Sequence, residues 1–248
     1  MKPGKIGAIG WHIGLVGTVV LVYAAYYPLN AWTMSLPYHD LGTWIDRATP
    51  LAPAWMFAYV AIFASATMPG FVVRHKALLQ RTAIAYLLVQ CIAFVCFVLY
   101  PVQMTLRPEA VAVDSFATWG LKLCYFLDAP TTCFPSLHVA TCVLGGLIVH
   151  KADPKLGRPL LGVALLVCAS TMLVKQHFLA DVVAGLLLSL VVHWRVVSTL
   201  SLDGLAAEEI RLPRYVSMGW IGVNLAAVGF MFALYRAGWQ PWAVVAAL

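Results

Sequence analysis

Ser136 and His138 stand just behind Pro135, at the head of an apolar run that continues from Val139 to Val149. His177 and Asp181 open a second apolar run further along the chain, with Lys175 immediately before them. A serine and backbone amides at a helix start offer an anion the positive end of the helix dipole. An imidazole two residues on can give or take a proton there. The i, i+4 spacing of His177 and Asp181 puts both on one helix face. A carboxylate so placed holds one imidazole nitrogen and makes the other a better nucleophile. Ionisable groups at the mouths of apolar segments are costly in lipid and mark a functional site. The chemistry these residue types suit is phosphate handling. Each has a plainer alternative: Ser136 as a helix cap, His138 as an interfacial imidazole, His177 and Asp181 as a satisfied buried pair, Lys175 as a side chain snorkelling to headgroups.

The elements that must position these residues are membrane helices. The chain has 248 residues, 62% hydrophobic and 10% charged, and several stretches approach the ~20 apolar residues that cross a bilayer. Expected spans run from Ile9 to Tyr27, Trp55 to Val73, Ala83 to Tyr100, Ser136 to His150, Pro159 to Val174, Phe178 to Val197 and Tyr215 to Tyr235. The tail from Trp239 to Leu248 is too short to cross again and suits the interface. Residues 1–248 therefore read as one integral membrane domain, an all-α polytopic bundle with no room for a separate soluble domain. The opening from Met1 resembles a signal peptide but is long enough to span, and reads as the first transmembrane helix.

The net charge of +6 is scattered through short loops and forms no aromatic-interleaved basic stripe, so nucleic acid is not the expected partner. Lys2, Lys5, Arg74, Lys76, Arg81, Lys151, Lys155, Arg158, Arg195, Arg211 and Arg214 outnumber Arg47, Arg107, Lys122, Lys175 and Arg236 on the other side. The expected orientation puts the N-terminus in the cytoplasm of an inner (plasma) membrane, with both histidine-bearing mouths outside. The outer loop from Leu29 to Ala54 reads as a headgroup-level anchor. Cys124 and Cys133 precede the Ser136 turn and could close a disulfide in an oxidising compartment. Gly145, Gly146 and Gly185 permit the fourth and sixth spans to approach closely, bringing His138 near His177.

Pro135-Ser136-Leu137-His138 resembles the Pro-Ser-x-His motif of the phosphatidic acid phosphatase type 2 superfamily. Ser170, His177 and Asp181 resemble its Ser-Arg-x5-His-x3-Asp motif, with Thr171 where the arginine is expected. Of the Lys-x6-Arg-Pro motif, Arg107-Pro108 is present and Tyr100 takes the lysine position. The segment from Tyr125 to Ala140, with Lys175-Gln176-His177, is similar to the branch that includes inositol phosphorylceramide synthases. The resemblance implies a six-helix phosphatase-type core, residues 46–197, with an additional C-terminal span at 215–235. It further implies His177 as nucleophile, Asp181 as its orienting partner and His138 as the acid for the leaving oxygen. Arg107 and Ser136 would bind phosphate, with Lys175 replacing a missing cation. No metal or other cofactor is implied. A zinc site of His138, His177 and Asp181 is the rival, and it leaves Ser136, Arg107 and Lys175 without a role.

These features imply a lipid-phosphate phosphatase whose partners are a phosphorylated lipid and the bilayer. A lipid phosphotransferase with the same His nucleophile is the first alternative. A non-catalytic lipid-binding protein or transporter using the imidazoles as a proton relay is the second. The apolar character of both runs beyond Ala140 and Asp181 argues against a relay path.

Overall fold

A computed structural model describes residues 14, 16–22 and 24–245 of the chain. The expected span from Ile9 to Tyr27 lies mostly outside the described residues, as do Lys2, Lys5 and the last residues of the tail. Among the described residues every named element is helical, and extended pairing is limited to two isolated bridges, His39 with Val102 and Val73 with Arg211.

The short helices α1 (Tyr26–Thr33) and α2 (Trp44–Ala48) come first. A broken helical run follows, with a 3-10 turn at Pro53–Trp55, then α3 (Met56–Tyr59), α4 (Ala61–Thr67) and α5 (Pro69–Val72). The expected single span from Trp55 to Val73 is thus interrupted, and one interruption falls at Pro69, which has no N–H to continue a helix. The long helices are α6 (Lys76–Leu99), α8 (Leu137–Ala152), α9 (Pro154–Leu173), α10 (Leu179–Val192) and α12 (Arg214–Arg236). Helix α7 (Phe116–Leu127) lies in the loop before α8, α11 (Ala207–Ile210) precedes α12, and α13 (Pro241–Val245) ends the described chain. A π-helical turn, His193–Val197, extends α10.

Four of these are long and apolar enough to cross a membrane, namely Lys76–Leu99, Pro154–Leu173, Leu179–Val197 and Arg214–Arg236. The segments Pro53–Thr67 and Leu137–Ala152 are apolar but shorter. An expected count of seven thus rests on those two and on the first span.

Several boundaries move for local reasons. Helix α9 starts at Pro154 and not Pro159, because Asp153 caps it through Lys155 N (3.2 Å) and a proline at the first helical position lacks only an N–H that would have had no helical partner. Helix α6 begins at Lys76 and not Ala83; nothing between them breaks helical geometry.

Helix α8 is the centre of the bundle, packed against α4, α6, α9 and α10. Val139, Ala140, Cys142, Leu144, Ile148 and Val149 along it are fully buried. At its far end Asp153 binds Arg214 Nε (2.8 Å) and Arg211 Nε (3.2 Å), tying the start of α12 to the α8–α9 turn. The Arg214 guanidinium beside it holds the Asp153 carboxyl below the usual carboxylate range.

The three glycines divide their work differently from the expectation. A Cβ on Gly145 would meet Ser65 O on α4 at 2.7 Å, and one on Gly146 would meet Leu161 on α9 at 2.8 Å. Gly185 alone of the three brings α10 onto the head of α8, where a Cβ would lie 2.5 Å from Ser136 O. Gly162 has nothing within 4 Å of its Cβ position. Gly185→Ala is therefore expected to lower stability by about 1–3 kcal/mol through overpacking against a backbone atom. Gly162→Ala should be neutral or slightly stabilising; thermal unfolding of both variants in detergent checks the contrast.

Candidate functional site

The site lies at one end of the bundle, where the loop before α8 meets the loop between α9 and α10. The first loop is held by Asn30 of α1, whose Nδ2 donates to Thr132 Oγ1 (2.8 Å) and Thr131 Oγ1 (3.2 Å). The Asn30 Oδ1 accepts from Ala129 N at 3.1 Å. Thr132 adopts a left-handed backbone (φ 56°) and the Phe134-Pro135 peptide is cis. The chain then delivers Ser136 as the cap of α8, its hydroxyl accepting from Val139 N at 3.3 Å.

The second loop turns through Lys175, whose left-handed φ of 52° is unusual for a side chain of that size. Two amides then close onto one carbonyl: Gln176 N and His177 N both donate to Thr171 O, at 2.8 and 3.1 Å. Thr171 stands where the family motif has arginine; it is fully buried and its carbonyl anchors the backbone of His177. The start of α10 is held by two carboxylates, Asp181 Oδ2 accepting from Phe178 N (2.9 Å) and Asp46 Oδ1 accepting from Leu179 N (2.7 Å). Asp46 is itself 2% exposed and caps α2 through Thr43. The loops join where Ser136 N donates to Asp181 O at 3.0 Å.

This framework brings the two imidazoles into contact. His138 Nδ1 lies 2.9 Å from His177 Nε2. Behind His177, Nδ1 sits 3.5 Å from Asp181 Oδ2. On the other side, Tyr59 of α3 places its hydroxyl 2.7 Å from His138 Nε2. His177 and Asp181 are buried, at 3% and 0% exposure, and Tyr59 is at 4%. Proton positions follow from the carboxylate. At 3.5 Å from Asp181 Oδ2, His177 Nδ1 makes no hydrogen bond among the described residues, nor does Asp181 Oδ1, but the nearby carboxylate favours a proton on Nδ1 electrostatically, an arrangement that leaves the lone pair on Nε2. His138 Nδ1 must then donate to that lone pair, leaving His138 Nε2 to accept from Tyr59.

Of the expected phosphate ligands, Ser136 is fully buried beside the pair, with its hydroxyl and amide in the contacts given above. Arg107 reaches the same region but faces protein oxygens, donating to Asp128 O (2.7 Å), Lys175 O (3.2 Å) and Gln176 Oε1, over the Tyr125 ring at 4.6 Å. Lys175 turns its ammonium to Asp46 O (2.8 Å) and Thr49 O (2.6 Å). Burial pushes its pKa down, against the opposing effect of Asp46. Tyr100, at the family's lysine position, stacks on His39 with ring centroids 4.1 Å apart.

Cys124 and Cys133 are both free thiols, contrary to the disulfide the sequence allowed. Cys124 Sγ accepts from Gln176 Nε2, and Cys133 Sγ faces Pro130 O, Thr131 O and Gln176 O. Cys133, His177 and Asp181 offer ligand atoms within 4.8 Å of one another, a different set from the His138, His177 and Asp181 zinc rival. The fit is poor for a resident metal. Burial, reinforced by Asp181, raises the Cys133 thiol well above its usual range, and its surroundings of carbonyl oxygens favour S–H over thiolate.

Sequence reasoning missed Tyr59, Asn30 and Gln176, and took the loop carrying Asp46 for a packing and anchoring element first and a substrate rim second. Asn30 and Asp46 gave a usable signal, being polar residues beside apolar runs; Tyr59 reads as one more aromatic of a buried helix. A family model described as PAP2 superfamily matches residues 29–195. No curated protein and no solved structure matches the chain.

Asp128 generates a pH prediction. Its Oδ1 accepts from Tyr26 Oη at 2.7 Å, yet burial pushes its carboxyl up, outweighing the lowering effects of Tyr26, Arg107 and His177. A raised folded-state pKa means the folded protein holds the proton after the unfolded chain has lost it. Stability from this group is full below the ordinary carboxylate pKa and declines as pH rises through the folded value. Asp128→Asn keeps an acceptor for Tyr26 and removes the titration. Its melting temperature should gain on wild type as pH rises through that window, by about 2–4 °C per kcal/mol, as thermal unfolding at stepped pH would show.

Proposed function

The chain belongs to the PAP2 superfamily, and from that premise we propose that it is a membrane phosphatase acting on a lipid phosphomonoester or diphosphate at the extracytoplasmic face, through a phosphohistidine on His177. The observation that carries the reading is the contact of His138 Nδ1 with His177 Nε2 at 2.9 Å, with Asp181 behind the nucleophile. Such a pair supplies an attacking lone pair and a proton donor at one point, with a carboxylate to stabilise charge on the attacker.

In the proposed reaction a phosphoryl group enters between the imidazoles and replaces their mutual hydrogen bond. The lone pair of His177 Nε2 forms the N–P bond as the bond from phosphorus to the lipid oxygen breaks. His138, as imidazolium, gives its proton to that oxygen. His138 then takes a proton from water, which attacks phosphorus and breaks the P–N bond, releasing inorganic phosphate. Arg107 can trade a carbonyl for a phosphoryl oxygen, and Lys175 has three N–H donors of which two are directed at Asp46 O and Thr49 O. Cations near the transferred group lower the barrier electrostatically.

Phosphotransfer to an alcohol is the second reading. It is favoured by the 3% exposure of His177, which keeps bulk water from the nucleophile. The similarity of Tyr125 to Ala140 to the inositol phosphorylceramide synthase branch points the same way. Phosphate release with and without inositol, ceramide or diacylglycerol separates the two; transfer with negligible free phosphate would remove the phosphatase reading.

His177→Ala should abolish turnover and the acid-labile phosphate trapped on the protein. His138→Ala should lower kcat by about 10²–10⁴, and Asp181→Asn should reduce activity without eliminating it. A panel of phosphatidic acid, phosphatidylglycerol phosphate, polyprenyl phosphate and sphingolipid phosphate in detergent measures all three; near-normal turnover by His177→Ala would refute the nucleophile.

A further inference from the structure

Tyr59 sits in the broken helical run before α6, far in sequence from every motif residue, yet its hydroxyl is 2.7 Å from His138 Nε2. The two rings lie against each other with centroids 5.2 Å apart. We propose that Tyr59 is a positioning residue for the proton-donating imidazole, fixing Nδ1 of His138 as the nitrogen that hands a proton to the departing lipid oxygen. The inference rests on the phosphatase reading above.

The reason lies in what His138 must do. It alternates between imidazole and imidazolium, so its rear nitrogen is an acceptor in one state and a donor in the other. A hydroxyl both donates and accepts by rotating one hydrogen, so Tyr59 can partner Nε2 in both states without moving a heavy atom. When Nε2 is bare, Tyr59 donates to it. When Nε2 carries hydrogen, Tyr59 accepts it. Among the described residues no other hydrogen bond holds that nitrogen: the remaining one of the His138 ring is from Nδ1 to His177. Without the hydroxyl the partly buried rear nitrogen would lose its partner, and the ring could turn to present the other edge to the phosphoryl group.

The proton balance closes. A phosphomonoester, with a second pKa of about 6, can bring in the proton that makes His138 cationic. As the N–P bond forms and the lipid oxygen departs, that oxygen takes the hydrogen on Nδ1. The ring is left as neutral imidazole with its hydrogen on Nε2, donated to Tyr59. Water attack in the second step returns a proton to Nδ1.

The test exploits leaving groups. An alkyl oxygen needs a proton to depart, whereas 4-nitrophenolate does not. Full-length wild type and Tyr59→Phe, purified in detergent, are compared on dodecyl phosphate and 4-nitrophenyl phosphate. Loss of alignment should lower kcat/KM of Tyr59→Phe on the alkyl ester by about 10–100-fold, part of what general acid catalysis contributes, and on the aryl ester by less than about 3-fold. Trapped phosphohistidine from the aryl ester would show that the variant is folded. Equal losses on both esters, as a purely structural role would give, or no loss on either, overturn the proposal while leaving the phosphatase reading in place. A wild-type protein that hydrolyses neither ester removes both.

Discussion

The hydrogen bond between His138 and His177 is the constraint on which the rest of the structure turns. One imidazole from the head of α8 and one from the loop before α10 meet at 2.9 Å in a partly buried site, where two positive charges would repel. One ring must therefore offer a lone pair and the other an N–H, and the Asp181 carboxylate decides which. Holding that contact requires the heads of α8 and α10 to touch. Gly185 allows the approach, Ser136 N on Asp181 O locks it, and Thr171 O fixes the height of His177. None of these groups is itself suited to the chemistry, but the distance between the rings depends on all of them.

The cations follow a different logic. Arg107 and Lys175 are at the site end, but both are turned towards backbone carbonyls and one amide, latching three loops together. A carbonyl partner is neutral, so exchanging it for a phosphoryl oxygen gains a full charge interaction at the cost of a modest hydrogen bond. The latch is thus compatible with later use on an anion in a way that a carboxylate salt bridge would not be. Two positions where the family motifs carry cations hold Tyr100 and Thr171 instead. Tyr100 stacks on His39, and Thr171 spends its side chain on Cys168 O, so each substituted position has a packing role of its own.

Much of this was legible in the residues. The Ser136 cap and the i, i+4 pairing of His177 with Asp181 follow from local rules that need no tertiary context, while the meeting of both histidines at one end was legible only through the order and alternation of the spans. Helix ends were less legible. Asp153-Pro154 is as good a start signal as any, yet the nearby Pro159 drew the expected boundary inward; the helix carries it as its sixth residue at the loss of one backbone hydrogen bond. The paired cysteines looked like a bridge because spacing carries no direction; in the fold one sulfur faces carbonyls and the other Gln176. Tyr59 was invisible as a site residue, and Asn30 and Asp46 stood out only as polar residues beside apolar runs, because the partners of all three lie far along the chain and only packing brings them together.

The length of α8 explains why those distant partners are needed. Its 16 residues rise about 24 Å, short of the ~30 Å hydrocarbon core. Where a helix end stops short of the headgroups, lipid offers its polar groups no donors or acceptors. Protein must supply them: Ser136 Oγ takes Val139 N, Asp181 O takes Ser136 N, and Tyr59 takes the rear nitrogen of His138. At the other end Asp153 is satisfied by Arg211 and Arg214 of the following segment. The central helix is thereby fixed in height by side chains at each terminus. That fixed height keeps one imidazole at a constant level while its partner arrives from another loop.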